Sequence, residues 1–262
     1  MDRDVRLNRI LEMLAAQDRI TVGAAADALG VSQATIRRDL DELASQQLLR
    51  RTRGGAASSG IAYDLPLRYK ASRRASEKQR IGLAAAKRVK AGEVVGLNGG
   101  TTTTEVARAL AVRTDLDGNS VSEPGLTVVT NALNIATELA IRPHTKIVVT
   151  GGVCRPQSYE LTGPLATGVL KQVSLDVVFL GVDAVDPVDG AKAHHEGEAS
   201  TNGLMVERSR SVVVVADRTK LGARAFSRIC GSERIDLLLT DRDADPSVVG
   251  AFQEAGIEVV LV

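Results

Sequence analysis

The 262-residue chain has few aromatic residues, few cysteines and no long hydrophobic run. Aromatic residues make up only 2% of it, so the core must be built from aliphatic side chains, which favours an α/β fold over a β-sandwich. Cys154 and Cys230 are far apart and indicate neither a disulfide framework nor a cysteine-ligated zinc site. No stretch approaches the roughly 20 apolar residues that cross a bilayer. The first residues, MDRDVRLNRI, lack the pattern of a signal peptide, so we expect a cytoplasmic protein without a membrane span.

Positive charge is concentrated at the beginning of the chain. Residues 1–80 contain 15 Lys/Arg and 10 Asp/Glu, whereas the remaining residues contain 18 and 22. This asymmetry suggests that the first region meets a polyanion. A solvated basic face would produce the same imbalance, so the charge alone does not decide between the two.

The first 55 residues have the pattern of a winged helix-turn-helix domain. Apolar residues at helical spacing predict helices over 3–17, 22–29 and 33–46. Thr21 and Ser32 stand where the second and third helices need capping residues. Residues 48–55 predict a β-hairpin after the third helix, which is the position of a wing.

Residue types that bind bases and phosphates lie where such a domain contacts DNA. The first turns of the third helix read base edges in the major groove, and a wing contacts the backbone or the minor groove. The candidate DNA-binding residues are Ser32, Gln33, Thr35, Arg37 and Arg38 on the helix, and Arg50, Arg51 and Arg53 on the wing. The alternative is a small helical bundle with a solvated basic face.

The rest of the chain predicts a linker followed by an α/β domain. Residues 56–80 are small, polar and basic, as in a linker, and a helix is expected over 77–90. Residues 81–262 alternate between Val-rich strands and helical patterns, which predicts a parallel sheet covered on both faces. The strand candidates are Glu93–Leu97, Leu126–Thr130, Lys146–Thr150, Asp176–Leu180, Ser211–Ala216, Ile235–Thr240 and Glu258–Val262.

Polar and glycine-rich turns follow several of these strands. Asn98, Gly99, Gly100, Thr101 and Thr102 open a helix, and free N–H groups at a helix N-terminus bind anions. A plain strand-to-helix connection would explain this turn by itself. However, ligands of parallel sheets lie at the carboxyl ends of strands, where further polar positions recur. These positions include Thr130, Asn131, Gly151, Gly152, Asp183 and Lys220. Together they predict a site for one small polar ligand, with Lys220 suited to a phosphate.

His194, His195 and Glu198 allow three interpretations. Imidazole and carboxylate ligands suit zinc or manganese, but neighbouring residues rarely point at one ion. The segment can instead present His195 and Glu198 to sugar hydroxyls, or it can be a solvated loop. We expect neither a metal site nor a cofactor.

These motifs together resemble the DeoR-type transcriptional regulators over essentially the whole chain. The N-terminal match is RLNRILEMLAAQDRITVGAAADALGVSQATIRRDLDELASQQLLRRTRGGA. The C-terminal matches include NGGTTTTEVARAL, LTVVTNALNIATEL, VVTGGV, LTGPLA, DVVFLGVDAVDPVDG, GEASTNGLMVERS and VVVADRTKLG. The resemblance implies a winged-helix domain joined to a sensor domain similar to ribose-5-phosphate isomerase. It also implies a non-enzymatic repressor of a sugar-catabolic operon, controlled by a phosphorylated sugar. We expect a homo-oligomer on operator DNA, because two-fold dimers double the contact of one winged helix and match palindromic half-sites.

The resemblance also implies roles for individual residues. The phosphate loop would be Gly99–Thr102, and the sugar-facing positions would be Asn98, Thr130, Asn131, Asp183, Glu198 and Lys220. The sequence departs from the family at Asn98, where Asp is usual, and at Gly99, where Ser is common. Two alternatives stay open: a sugar-phosphate isomerase that uses Asp183, Glu198 and Lys220, and a DNA-binding protein whose sensor has lost its ligand.

Overall fold

The computed structural model describes residues 1–46, 48–58, 66–71, 73–116, 118, 124–142 and 145–262. They form two compact units, Met1–Arg73 and Arg74–Val262. Among these described residues, no helix is long and apolar enough to cross a membrane.

The first unit is a winged helix-turn-helix domain with a three-stranded antiparallel sheet in the order β1-β3-β2. Its elements are α1 (Arg3–Gln17), β1 (Arg19–Thr21), α2 (Val22–Leu29), α3 (Gln33–Ser45), β2 (Leu49–Thr52), β3 (Gly55–Ser58) and α4 (Leu67–Ala71). The three expected helices are therefore confirmed. The wing is longer than the hairpin predicted over 48–55, because β3 also pairs with β1 and extends to Ser58.

Local capping sets the helix-turn-helix geometry. Thr21 Oγ1 accepts from the N–H of Ala24 at 3.2 Å, and Ser32 Oγ accepts from the N–H of Thr35 at 3.2 Å. Each cap satisfies a backbone donor that a helix start leaves free. Gly30 ends α2 with φ +64°, a left-handed conformation that favours glycine.

Apolar packing and one buried ion pair hold α3 in place. Ile36, Leu40 and Leu43 are fully buried, as their spacing predicts. On the same helix, the carboxylate of Asp39 accepts from Arg6 of α1, with Nε–Oδ2 and Nη2–Oδ1 distances of 2.6 and 3.1 Å. This bidentate pair fixes α3 against α1.

The first unit extends beyond residue 55. Tyr69 of α4 is 5% exposed within the apolar core of this unit, and its hydroxyl donates to Oε1 of Gln46 at 2.6 Å. The residues expected to form a linker over 56–80 therefore include strand and helix that pack on the first unit, followed by the start of the second. Residues 59–65 and 72 of that range lie outside the described residues.

The second unit alternates helices and strands. Its helices are α5 (Ala75–Ala86), α6 (Thr101–Ala111), α7 (Leu133–Leu139), α8 (Pro164–Leu170), α9 (Glu196–Glu207) and α10 (Pro246–Glu254). Its strands are β4 (Val94–Leu97), β5 (Leu126–Thr130), β6 (Thr145–Val149), β7 (Val153–Cys154), β8 (Leu161–Thr162), β9 (Leu175–Gly181), β10 (Ala184–Asp186), β11 (Gly190–Ala193), β12 (Ser209–Val215), β13 (Ser227–Cys230), β14 (Leu237–Thr240) and β15 (Glu258–Leu261). Single 3₁₀ turns lie at Thr114–Leu116, Arg218–Lys220 and Ser232–Arg234.

Seven of these strands form one parallel sheet in the order β15-β14-β12-β9-β4-β5-β6. Each corresponds to a strand expected from the sequence, with ends that differ by at most two residues. Two separate apolar clusters lie in this unit, each containing residues of the sheet and its helices. Parallel strands need such cover on both faces, and this confirms the predicted α/β fold class.

The direction of the chain across the sheet reverses between β4 and β9. From β4 the chain continues to β5 and β6 on one side, whereas from β9 it continues to β12, β14 and β15 on the other. A crevice forms at such a reversal beyond the carboxyl ends of the strands, because the connecting helices diverge to opposite faces. A ligand site is therefore expected next to the turns that follow β4 and β9.

Candidate DNA-binding surface and candidate effector site

The start of α3 presents polar side chains to solvent. Ser32, Gln33, Arg37 and Arg38 are exposed, and Thr35 is half-buried. The hydroxyls of Ser32 and Thr35 lie 2.9 Å apart at the helix cap, and Arg37 Nη2 donates to Gln33 Oε1 at 3.3 Å. Within the described part of the chain, Arg38 forms no hydrogen bond or ion pair, so its guanidinium is available to a partner.

The three arginines of the wing differ in their surroundings. Arg50 and Arg53 are exposed and have no hydrogen-bond or ion-pair partner among the described residues. Arg51 is half-buried, with its Nε 2.9 Å from Oδ1 of Asp41, and its Nη1 donates to the carbonyl of Gly55 at 2.8 Å. Arg51 therefore joins the wing to α3, which is a structural task that the sequence did not indicate.

In the second unit, Asn98 connects the two strands at the reversal point. Its Oδ1 accepts from the N–H of Gly181 at 2.7 Å, and its Nδ2 donates to the carbonyl of Gly181 at 2.9 Å. An aspartate would lack the donor and would place negative charge beside that carbonyl. We expected Asn98 to face ligand hydroxyls, but both of its polar groups join the end of β4 to the end of β9.

The turn after β4 leaves donors free at the start of α6. Among the residues that the structure describes, no side chain caps this helix at Gly100. The hydroxyls of Thr103 and Thr104 both donate to the carbonyl of Gly100, at 3.1 and 2.6 Å. By contrast, Thr101 and Thr102 keep hydroxyls without a hydrogen-bond partner in the described residues. The turn therefore offers backbone N–H groups, hydroxyls and the positive end of a helix dipole to an anion.

A buried cluster of three side chains lies beside this turn. Glu160 Oε2 accepts from Asn131 Nδ2 at 3.1 Å and from Asn202 Nδ2 at 3.2 Å, and Asn131 Nδ2 also donates to Asn202 Oδ1 at 3.0 Å. All three residues are at most 4% exposed. Burial, and then the nearby charges of Glu198 and Asp183, raise the pKa of Glu160 to about 8, although both amides act against the rise.

Gly99 is required by this cluster. A β-carbon added to Gly99 would lie 2.4 Å from Cγ of Glu160 and 2.5 Å from its Oε1. No L-side chain fits there without displacing Glu160. A serine, which the DeoR resemblance leads us to expect at this position, would meet the same clash.

Glu198 and Asp183 lie near this cluster but are already bonded. Glu198 Oε1 accepts from Arg155 Nη1 at 3.1 Å and from Ser158 Oγ at 2.5 Å. Asp183 Oδ2 accepts from the N–H of His194 at 3.0 Å.

The remaining expected effector positions also lie at strand ends. Thr130 is buried, and its Oγ1 accepts from the N–H of Ala132 at 3.1 Å. Gly151 and Gly152 follow β6 with φ +71° and +120°. Lys220 belongs to the 3₁₀ turn after β12, is half-buried, and has an ammonium group without a partner in the part of the chain that the structure describes.

His195 is the half-buried N-cap of α9, so this segment is the start of a helix and not a solvated loop. Its Nδ1 accepts from the N–H of Glu198 at 3.4 Å, and Glu198 is buried. The described residues contain no group of three or more His, Cys, Asp or Glu that could hold a metal ion.

Models of known domain families match both units of the chain. A model of the DeoR-like helix-turn-helix domain matches residues 6–60, and a model of the DeoR C terminal sensor domain matches residues 73–242. The chain belongs to the DeoR family. The HTH-type transcriptional regulator GlpR of Haloferax volcanii is 35% identical over 256 residues, covering 97% of this chain and 96% of that protein. The glycerol-3-phosphate regulon repressor of Escherichia coli (strain K12) is 29% identical over 261 residues, covering both chains completely.

As a DeoR-family member, the protein is a DNA-binding transcriptional regulator, which confirms the function expected from the sequence. Among solved structures, the sorbitol operon regulator SorC of Klebsiella pneumoniae matches at a TM-score of 0.41 and 13% identity, covering 96% of this chain and 99% of that one. Ribose 5 phosphate isomerase A from Neisseria gonorrhoeae matches at a TM-score of 0.38 and 19% identity, covering 58% and 54%. Similarity at this level says nothing about the activity of the DeoR-family chain.

Sequence reasoning missed Glu160 and Asn202. Both stand in or beside motifs that carry the DeoR resemblance, since Glu160 precedes LTGPLA and Asn202 belongs to GEASTNGLMVERS. Polar residues inside or next to a recurring motif are therefore the signal that could have found them.

Proposed function

We propose that this DeoR-family regulator is a repressor of a sugar-catabolic operon and that a phosphorylated sugar controls it. The observation that carries this proposal is the convergence of polar groups at the carboxyl ends of five adjacent strands, β12, β9, β4, β5 and β6. These strands flank the reversal point, where parallel sheets bind ligands. The name of the Escherichia coli relative, a glycerol-3-phosphate regulon repressor, supports a phosphorylated effector.

The effector's phosphate lies on Gly99–Thr102. This turn has an uncapped helix start and two free hydroxyls, and Lys220 supplies a full positive charge from the end of β12. The sugar hydroxyls face Asn131, Asp183 and Glu198, near Gly151 and Gly152. Asn98 and Thr130 position the strand ends through their bonds to the backbone.

Operator DNA binds to the first unit through α3 and the wing. Arg37 and Arg38, with Gln33, enter the major groove, while Arg50 and Arg53 contact phosphates. The regulator acts as a homo-oligomer, because two such domains double the contact and match palindromic half-sites. Light scattering at micromolar protein concentration, with and without DNA, tests this oligomeric state. A monomer under both conditions would contradict it.

Calorimetry with matched sugars and sugar phosphates tests the effector site. We expect hexose or pentose phosphates to bind far more tightly than the same sugars without phosphate. Lys220→Ala should leave operator binding intact and weaken the response to the effector. Lys171→Ala, which removes an exposed lysine elsewhere in the sensor, is the matched control. Equal affinity for a sugar and its phosphate would refute the proposal.

We also propose that the bound effector is not turned over. The alternative function, a sugar-phosphate isomerase, is supported by Glu160, because a buried carboxyl with a raised pKa suits a general base. Chromatography of the calorimetry samples separates the two functions, because accumulation of an isomerised sugar phosphate would show an enzyme.

A further inference from the structure

The carboxyl of Glu160 forms one wall of the proposed phosphate-binding turn. It occupies the space in which a side chain of residue 99 would lie, since a β-carbon on Gly99 would be 2.5 Å from Glu160 Oε1. The carboxyl therefore lies directly beside Gly99, the first residue of this turn. The functional assignment above leaves Glu160 without a role in a repressor.

Hydrogen bonds fix which oxygen of Glu160 faces the turn. Oε2 is occupied by the amide groups of Asn131 and Asn202, at 3.1 and 3.2 Å. Oε1 has no hydrogen-bond partner among the described residues. Because Oε2 already accepts twice, a proton on this carboxyl resides on Oε1, where it can be donated to a ligand.

The charges around Glu160 favour that proton. Besides burial, the carboxylates of Glu198 and Asp183 act on Glu160 through space and raise its pKa to about 8. At neutral pH the carboxyl is therefore mostly uncharged and able to donate.

Asn131 provides an independent indication that a ligand binds at this cluster. Asn131 is fully buried, and its Oδ1 has no hydrogen-bond partner in the part of the chain that the structure describes. A buried acceptor without a partner is costly, so a donor that reaches it on ligand binding would stabilise the protein. The cluster thus offers one donor, Glu160 Oε1–H, and one acceptor, Asn131 Oδ1, which suits a phosphate oxygen next to a hydroxyl.

We propose that Glu160 is a further effector-binding residue, whose neutral carboxyl donates a hydrogen bond from Oε1 to a phosphate oxygen while Asn131 Oδ1 accepts from a neighbouring hydroxyl. This inference rests on the proposed function, because it assumes a phosphate on Gly99–Thr102. Hydrogen bonds from O–H to an anionic oxygen are short and strong, whereas an ionised carboxylate at this position would repel the phosphate.

The proposal fixes the direction of a pH effect. The neutral form binds, so affinity is constant well below the pKa of free Glu160 and falls as pH rises through about 8. At alkaline pH the ionised carboxyl must take up one proton from solvent as the effector binds. Phosphate monoesters lose their second proton near pH 6, so their own titration does not interfere above roughly pH 7.

Calorimetry of the full-length protein with glucose 6-phosphate, ribose 5-phosphate and inorganic phosphate tests this. For the wild type we expect about tenfold weaker ester binding at roughly pH 9 than at pH 7. Glu160→Gln keeps an oxygen for both asparagines and a permanent donor, so its affinity should stay nearly constant over this range. Glu207→Gln, which removes an exposed carboxylate from the same helix as Asn202, should behave like the wild type.

Proton uptake provides a second measurement that needs no variant. Titrations of the wild type at about pH 9 in two buffers of different ionisation enthalpy should show uptake of nearly one proton per bound ester. Ester binding without proton uptake, or an equal pH effect in Glu160→Gln and wild type, would overturn the role of Glu160 and leave the effector site standing. If no phosphate compound binds to the wild type, the proposed function fails and this inference fails with it.

Discussion

The proposed DNA-binding surface and the proposed effector site contain polar side chains in opposite environments. Arg38, Arg50 and Arg53 are exposed and have no partner among the described residues, so solvent already stabilises their charge. Asn131, Glu160 and Asn202 are buried and hold one another in place. Exposed cations can be removed with little loss of stability, whereas a buried polar group leaves its partners unsatisfied. Stability and ligand affinity should therefore separate in the first region and stay coupled in the second.

The largest expected effect comes from adding a single methyl group at Gly99. Gly99→Ala forces Glu160 away from its two asparagine partners, because the new β-carbon would lie 2.4 Å from Glu160 Cγ. We expect a loss of about 2–3 kcal/mol in the free energy of unfolding, as for overpacking in a core. Urea denaturation of the full-length protein measures it.

Two further variants test whether the clash with Glu160 causes the loss in the free energy of unfolding. Gly168→Ala adds the same group in α8, where nothing lies within 4 Å, and should leave stability unchanged or slightly higher. In the double variant Gly99→Ala, Glu160→Ala, the clash is absent, so the two losses should not add. A Gly99→Ala protein as stable as the wild type would show that effector-site residues tolerate change as the DNA-binding surface does.

The strands of the seven-stranded sheet were predictable from local sequence, but their order in the sheet was not. Val-rich runs such as Leu126–Thr130 and Ser211–Ala216 mark buried strands by themselves. The reversal between β4 and β9 depends on which strands pair across about 80 residues, and no local pattern encodes that. The strands that the sequence did not indicate include β7, β8 and β10, which have two or three residues each, too few for a periodic signal.

The residues of the proposed effector site could be found from the sequence only where they are contiguous. Gly99–Thr102 is a local motif, whereas Glu160 joins it through packing of a segment 60 residues further along the chain. The DNA-binding surface shows the same limit on a smaller scale. Arg51 looks like Arg50 and Arg53 in the sequence, yet the strand register turns it toward Asp41 and Gly55.

A smaller effect is expected from Arg38→Ala, and it should fall on DNA binding alone. If Arg38 reads a base, operator affinity should drop by about 1–3 kcal/mol and discrimination at one base pair should relax. The melting temperature should not change, because Arg38 has no partner to lose within the described residues. Fluorescence anisotropy with an operator selected from random duplexes measures affinity. Arg9→Ala, an exposed arginine of α1, controls for the lost charge. An equal loss in both variants would mean that only net charge matters.

The smallest effect is expected from Arg53→Ala, and salt dependence is its most sensitive measure. As a phosphate contact, Arg53 should contribute equally to all DNA sequences, so its removal should lower the slope of log K against log salt by about 1 without altering specificity. Arg51→Ala is the informative contrast, because Arg51 has the same charge two residues away but bonds Asp41 and the Gly55 carbonyl. Removing it should lower the melting temperature as well as DNA affinity, since the wing loses its link to α3. Salt titrations and melting curves of both variants test the difference. If Arg53→Ala also has a lower melting temperature than the wild type, the Arg53 side chain stabilises the wing, and it is not solely a phosphate contact.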